Sequence, residues 1–158
     1  MKHSSSAGDA GRELWIEALR ARGFARLRVH GSSMRPWLRG GEVVEVRRVT
    51  PTEARRGDVV AFARGGGLFV HRVIGKRHGE RGTLLITKGD AFPDADAPVR
   101  EDELLGRVAC VARAGGAVST NTLPQQALGR LLAGLSARAR WWYPGARAAR
   151  RALRAVLG

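Results

Sequence analysis

The residue types that could do chemistry in this chain begin with two neighbouring serines. Ser32 and Ser33 lie in the stretch HGSSMRP at positions 30–36. Gly31 allows a sharp turn of the backbone just before them, and Pro36 disfavours helix at the residue that precedes it. A serine on such a turn displays its hydroxyl, and its backbone N–H can face a bound carbonyl, as a nucleophile with an oxyanion hole requires. Gly-Ser-Ser is also an ordinary turn composition, so the stretch alone does not decide between the two interpretations.

A serine hydroxyl needs a base within hydrogen-bonding reach, because it is a poor nucleophile at neutral pH. His71 lies in the apolar stretch LFVHRVI, where a histidine is either a core residue with satisfied hydrogen bonds or a base in a low-dielectric site. His30 directly precedes the glycine of the serine turn, but neighbours along a strand point to opposite faces. His78 and Lys88 are further candidates. An imidazole suits proton transfer near neutral pH, which makes His71 a candidate base without excluding the core interpretation.

A carboxylate would complete such a site, because it fixes the histidine tautomer and stabilises the charged imidazole. The segment TKGDAFPDAD offers Asp90, Asp94 and Asp96. Three close aspartates could instead hold Mg²⁺ or Ca²⁺. The segment lacks a calcium-loop pattern, so neither a metal nor an organic cofactor is expected.

Short strands separated by glycines must position these residues. Six strands are predicted, at residues 26–30, 43–49, 58–63, 68–74, 84–87 and 105–112. The glycine triplet at residues 65–67 predicts a hairpin loop. Short strands with regular turn signals indicate a mainly β fold, either a sandwich or a barrel.

Helices are predicted on both sides of the strand region. Asp9 can cap an N-terminal helix that Gly23 ends. Its apolar face would consist of Leu14, Trp15, Ala18 and Leu19. Residues 124–158 predict two amphipathic helices around a Trp-Trp-Tyr-Pro-Gly interruption, and the chain from residue 119 onward has seven arginines and no acid. Such a segment could lie on an anionic membrane surface, or it could form a helical hairpin packed on the β domain.

The charge balance of the chain is strongly basic, with 28 Lys and Arg against 14 Asp and Glu, a net charge of +14. An anionic partner explains this balance, and a genome-wide bias toward arginine codons explains it equally well. Nucleic acid is not expected as a partner, because no helix-turn-helix is evident. No stretch reaches the roughly 20 apolar residues of a membrane span, and the N-terminus lacks the apolar core of a secretory signal. We therefore expect a cytoplasmic protein, with peripheral contact at the inner membrane face through residues 124–158 left open.

Five short motifs in this order resemble signal peptidase I. They are GSSMRP at 31–36, GDVVAF at 57–62, HRVI at 71–74, TKGD at 87–90 and LLGRV at 104–108. The histidine of HRVI makes the chain similar to the Ser–His branch found in archaea and the eukaryotic endoplasmic reticulum. The bacterial branch and the related SOS-repressor peptidases use lysine instead. The resemblance implies a mostly β, partly barrel-like catalytic domain.

The resemblance also implies roles for individual residues, of which the serine before the motif methionine is the nucleophile. The implied catalytic residues are Ser33, His71, Asp90 and Asp96. Ser32 and Met34, on either side of the nucleophile, are assigned to substrate binding or the oxyanion hole. Where many members have a hydroxyl two residues before the nucleophile, this chain has Gly31.

The predicted organisation is a disordered tail at 1–8, a protease domain at 9–118 and a basic helical segment at 119–158. The predicted function is a serine endopeptidase of signal-peptidase type that cleaves a precursor or leader peptide. Members of that family usually carry a membrane anchor ahead of the serine, where this sequence has only the predicted short helix. The alternative is a catalytically weak, peptidase-like regulatory or binding module that uses its Arg-rich surface.

Overall fold

The computed structural model describes residues 6–80, 82–113 and 116–119. The described part contains one helix, α1 (Ser6–Arg22), followed by seven strands. The strands are β1 (Phe24–Arg28), β2 (Val43–Arg47), β3 (Val59–Arg64), β4 (Gly67–Gly79), β5 (Gly82–Lys88), β6 (Leu104–Arg113) and β7 (Gly116–Ser119). The mainly β fold with a short N-terminal helix is therefore confirmed. The helix begins three residues before its predicted start, and the helices predicted at 124–158 lie outside the described residues.

One antiparallel sheet contains all seven strands. Six of them follow the order β1-β2-β6-β3-β4-β5, and β7 pairs with the C-terminal half of β6. The register shifts between Glu45 and Val46, between Ala61 and Phe62, and between Val73 and Gly75. Such irregularities bend strands and increase their twist. The sheet curls so far that the end of β1 and the start of β4 line one groove, although they are four places apart in the strand order.

The predicted hairpin loop at the glycine triplet is confirmed as a two-residue turn between β3 and β4. Gly65 and Gly66 have φ values of 55° and 79°, as the turns that suit tight hairpins require. The following strand is longer than predicted, because its polar end continues to pair with β5 as far as Gly79 and Gly82. A strand that pairs through solvated polar residues lacks the apolar pattern from which its length could be predicted.

The core lies on both faces of the sheet. Alternate residues of β3 face opposite sides, and Val59 and Ala61 belong to one apolar cluster while Val60 and Phe62 belong to the other. The larger cluster gathers side chains from α1, from residues 29–38 that carry the two serines (the serine segment) and from five strands. Because β3 is buried on both faces, its sequence is an unbroken apolar run and does not alternate between apolar and polar residues.

The N-terminal helix packs on the edge of the sheet through Trp15 and Leu19. Leu19 is buried in the larger core cluster, and the Trp15 indole N–H donates to the Arg26 carbonyl at 2.7 Å. The prediction that Leu14 belongs to the packing face is wrong, since 67% of it is exposed. Gly23 ends the helix with φ 75°, and its N–H donates to the Leu19 carbonyl. Among the described residues, no helix is both long and apolar enough to cross a membrane.

Candidate active site

The serine segment is a compact turn anchored in the core. Gly31 has φ 82°, and the Arg35 N–H donates to the Ser32 carbonyl at 3.1 Å. Met34 and Leu38 are 2% and 1% exposed and belong to the larger core cluster. Because these two apolar side chains point inward, Ser33 is left half-buried at the surface of the turn.

His71 lies on β4 with its ring directed at the serine turn. The residue is 5% exposed, and its Nε2 lies 3.2 Å from Ser33 Oγ. Three phenylalanine rings surround the imidazole at centroid distances of 5.9, 6.2 and 6.3 Å. They are Phe62, Phe69 and Phe92. The imidazole is therefore shielded by apolar rings on several sides while one nitrogen reaches the serine hydroxyl.

Asp96 holds the other side of the imidazole. Its Oδ2 lies 2.7 Å from His71 Nδ1. When the carboxylate is ionised, Nδ1–H donates to it, and Nε2 then carries the lone pair that can accept the Ser33 proton. The three side chains form a continuous chain from hydroxyl to imidazole to carboxylate, which is the arrangement that activates a serine nucleophile.

Asp90, the other predicted acid, is not brought to the histidine. Its two oxygens accept from Nε and Nη2 of Arg72 at 2.8 and 2.6 Å. Arg72 also donates to the Gly57 carbonyl at 2.9 Å, and its guanidinium lies 5.1 Å from the centroid of the Trp37 ring. Asp90 is thus part of a buried ion pair that ties β4 to the serine segment and to the loop after β5.

The loop after β5 contacts both Ser33 and His71. Ala91 N–H donates to the Ser33 carbonyl at 2.9 Å. A Cβ placed on Gly89 would lie 2.8 Å from that carbonyl oxygen and 3.3 Å from His71 Nε2. Only a glycine therefore lets the loop approach the serine and the histidine this closely.

Lys88, the alternative base, is occupied elsewhere in this loop. Its ammonium donates to the Phe92 carbonyl at 2.8 Å, and only 5% of the residue is exposed. Burial lowers the pKa of Lys88, while Asp90 and Asp94 oppose that shift. A lysine that has lost hydration and holds a backbone carbonyl acts as a brace for the loop.

A groove of about 540 Å³ runs up to the Ser33–His71 pair. Its walls come from residues 27–33 on one side and from residues 68–71 and Phe92 on the other. β5 pairs with β4 only from Arg72 onward, so residues 68–71 have β3 on one side and no described strand on the other. Within the described part of the chain, the groove therefore presents a strand edge without a paired neighbour, and this edge ends at the histidine.

The remaining predicted site residues take different positions. Ser32 is exposed on the groove wall, as is His30. The Met34 side chain is in the core, where it anchors the turn, and the residue does not line the groove. Within the part of the chain that the structure describes, no three His, Cys, Asp or Glu side chains are grouped to hold a metal ion.

Sequence reasoning missed the residues that support the site. Arg72 follows the histidine directly, and a buried arginine in an apolar strand is itself a signal, because such a charge requires a partner. Thr87 is fully buried and donates to Asp96 Oδ2 at 2.7 Å. Its place in TKGD could have been noticed, but nothing in the sequence shows which aspartate it would meet.

The comparisons with known proteins agree with this fold. The sequence model of the family described as Peptidase S24-like matches residues 10–109, well over half of the chain. The chain therefore belongs to the Peptidase S24-like family, which groups SOS-repressor peptidases with signal-peptidase-I-like proteins. No curated protein gave a significant match. Membership supports a peptidase-type function in the broad sense, and the family also includes members without catalytic activity.

Proposed function

We propose that this protein is a serine endopeptidase of signal-peptidase type that cleaves a precursor or leader peptide. The observation that carries the proposal is the continuous chain Ser33–His71–Asp96, with contacts of 3.2 and 2.7 Å. A buried histidine with a carboxylate on one nitrogen and a serine hydroxyl on the other is the constellation that acyl transfer requires. It also sits at the end of a groove large enough for several residues of a peptide.

In the proposed reaction, Ser33 Oγ attacks the carbonyl carbon of the scissile bond and passes its proton to His71 Nε2. Asp96 stabilises the imidazolium through its contact with Nδ1. The imidazolium then gives the proton to the departing amine, which leaves an acyl group on Ser33. His71 next takes a proton from a water molecule that attacks the acyl carbon, and it returns that proton to Ser33 as the acid product departs.

The oxyanion of the tetrahedral intermediate needs hydrogen-bond donors. Gly31 stands where many relatives have a hydroxyl, so we assign this role to the backbone N–H of Ser33. Among the described residues, none accepts a hydrogen bond from that N–H. Ser32 is exposed beside it on the groove wall and is the candidate for a second donor. Each such donor contributes roughly 100-fold or more to the rate in enzymes of this chemistry.

The substrate is proposed to bind as an added β-strand. Residues 68–71 offer their unpaired backbone edge to an extended peptide, which positions it by main-chain hydrogen bonds whatever its side chains are. The edge ends at His71, so a carbonyl of the bound strand would lie beside Ser33. An extended peptide rises about 3.3 Å per residue, as the strand does, so the four edge residues can pair with about four residues of the substrate.

We assign the base to His71, as in the Ser–His branch of the signal peptidases, and not to Lys88. The Lys88 ammonium is already bound to the Phe92 carbonyl, whereas His71 Nε2 faces the Ser33 hydroxyl. An imidazole base predicts that cleavage rises with pH through one ionisation, the loss of the imidazolium proton.

A fluorophosphonate probe on the full chain, with a peptide cleavage assay, tests the proposal. Ser33→Ala should abolish labelling and cleavage, whereas Ser32→Ala should still take up the probe and should cleave more slowly by roughly 100-fold, the contribution of one oxyanion donor. His71→Ala should lose several orders of magnitude in rate, and Lys88→Met far less. Full labelling of Ser33→Ala, or a dead Lys88→Met beside an active His71→Ala, would contradict the assignment. If the unaltered chain takes up no probe, the alternative of a regulatory or binding module is favoured.

We further propose that residues 124–158, outside the described part, hold the protein at an anionic membrane surface on the cytoplasmic side. The support is the basic amphipathic pattern with its Trp-Trp-Tyr sequence. The full chain should float with anionic liposomes, less so with added salt, and a chain ending at Leu123 should not. If both chains stay in the soluble fraction at low salt, the segment has another role.

A further inference from the structure

Thr87, at the end of β5, binds the same carboxylate oxygen that holds the histidine. Its hydroxyl donates to Asp96 Oδ2 at 2.7 Å, and His71 Nδ1 lies 2.7 Å from that same atom. The Asp96 N–H also donates to the Thr87 carbonyl at 2.8 Å. The aspartate is therefore bound to one threonine through its main chain and through its side chain.

The β4–β5 register places this threonine beside the histidine. Thr87 pairs with Val73, which is two residues from His71 on the same strand and therefore faces the same side of the sheet. Thr87 is fully buried and does not line the groove, so it cannot touch a bound peptide. Its described side-chain partner is Asp96, and a hydroxyl in such a place is costly to leave unpaired.

We propose that Thr87 is a positioning residue for the reaction, whose hydroxyl holds the Asp96 carboxylate against His71 and sets how strongly that carboxylate attracts the imidazole proton. The inference rests on the proposed function. Asp96 sits at the end of a surface loop, and its side chain is 23% exposed, so its own packing does not fix it. A second donor on Oδ2 restricts the carboxylate to one orientation and takes up part of its negative charge.

The charged groups that the described residues place near this contact stay the same when only Thr87 is changed. Arg64 interacts with Asp96 through space, and Lys88 lies next to Thr87 on β5. The Arg72–Asp90 pair lies on the opposite side of β4 from the imidazole. None of them changes when only the hydroxyl of Thr87 is removed, so a change in titration reports that hydroxyl.

Two variants of Thr87 separate the effect of its hydroxyl from the effect of its side-chain shape. Thr87→Val keeps the branched shape without the hydroxyl, and Thr87→Ser keeps the hydroxyl without the methyl group. If the hydrogen bond matters, Thr87→Val should lower kcat about 10- to 100-fold with little change in KM, and Thr87→Ser should retain most of the activity. The acid limb of the kcat/KM profile should move to higher pH in Thr87→Val only. Without the hydrogen bond from Thr87, the Asp96 carboxylate keeps more of its negative charge and holds the imidazolium more strongly.

A merely structural role predicts the reverse order. If Thr87 acted only by packing, Thr87→Val should be more active than Thr87→Ser, since the serine leaves a small void in the core. Neither substitution should then move the pH profile. Coinciding acid limbs for the unaltered chain and Thr87→Val, or equal kcat values for the Val and Ser variants, would overturn the proposal.

A nitrogen NMR titration of the His71 ring distinguishes this failure from failure of the proposed function. The titration needs no turnover, so it can be run on the unaltered chain and both Thr87 variants even if none cleaves peptide. A His71 ring that titrates at the same pH in all three proteins would overturn the role of Thr87 alone. A Ser33→Ala protein that still cleaves would overturn the peptidase mechanism while leaving the NMR result intact.

Discussion

Asp90 and Asp96 lie six residues apart in one loop, yet their carboxylates have different partners. Both oxygens of Asp90 accept from the Arg72 guanidinium, and both side chains of that pair are almost fully buried. Asp96 is partly exposed and meets His71 and Thr87 through a single oxygen. A carboxylate fixed on a permanent cation holds structure together, whereas one fixed on an imidazole can respond when that ring gains a proton.

The difference arises from the alternation of β4. His71 and Arg72 are neighbours, so their side chains leave the strand on opposite faces. On one face of β4 the imidazole points into the groove, and on the other face the guanidinium contacts Asp90 and Trp37. One dipeptide thus supplies the candidate base and the ion pair that braces the loop around it.

Breaking the Asp96 contact should have the largest effect. Asp96→Asn removes the charge that stabilises the imidazolium and favours the wrong tautomer, so kcat should fall by a factor on the order of 10⁴. The free energy of unfolding should change little, because the amide oxygen can still accept from Thr87. Asp94→Asn, with an exposed carboxylate in the same loop, is the matched control and should be as active as the unaltered chain. A kcat for Asp96→Asn within tenfold of the unaltered value would contradict its role.

Breaking the Asp90 contact should lower the stability of the fold more than it lowers kcat. Asp90→Asn leaves the Arg72 charge buried without its partner, and urea denaturation should show a free energy of unfolding lower by about 3–5 kcal/mol. The double variant Asp90→Leu with Arg72→Met should recover much of that loss, since it removes both charges. If Asp90→Asn instead abolished kcat at unchanged stability, the two aspartates would have the opposite roles.

Glu103 is a third carboxylate with an arginine partner, Arg64, and its substitution should have the smallest effect of the three. Arg64 binds it through two contacts of 2.7 Å and lowers the pKa of Glu103 to about 2. The contribution of this pair to stability is therefore present above pH 4.5, the ordinary value, and is lost as the pH falls toward 2.

Glu103→Gln should lower the free energy of unfolding at pH 6 by about 1–3 kcal/mol and flatten its dependence on pH between those limits. Arg64 also holds the carbonyls of Ala97 and Pro98, so the substitution tests whether the loop end needs the ion pair. Little change in kcat is expected, and thermal unfolding followed at several pH values is the measurement. An unchanged pH dependence would show that the pair does not couple to folding.

The sequence was enough to predict the fold class, the α1 helix and six of the strands, because apolar runs between glycines carry that information. It also singled out Ser33, His71 and Asp96, which the structure brings together. It did not distinguish Asp96 from Asp90, because the choice depends on how the loop folds back: the Asp96 N–H bonds to the Thr87 carbonyl, and this contact turns the chain toward β4. The sequence also did not show that the Met34 side chain packs in the core, because proximity to the serine does not reveal which side chains a turn sends inward.

The loop that carries Asp96 is held by contacts to its backbone carbonyl and N–H groups. Lys88 binds the carbonyl of Phe92, and the Phe92 N–H donates to the Gly89 carbonyl, so neither contact depends on the ring. The ring itself is half exposed beside the imidazole on the groove wall. A substitution at position 92 therefore changes the groove wall without removing a backbone contact of this loop, and under the proposed function it is a place where the preference for a peptide side chain can be altered.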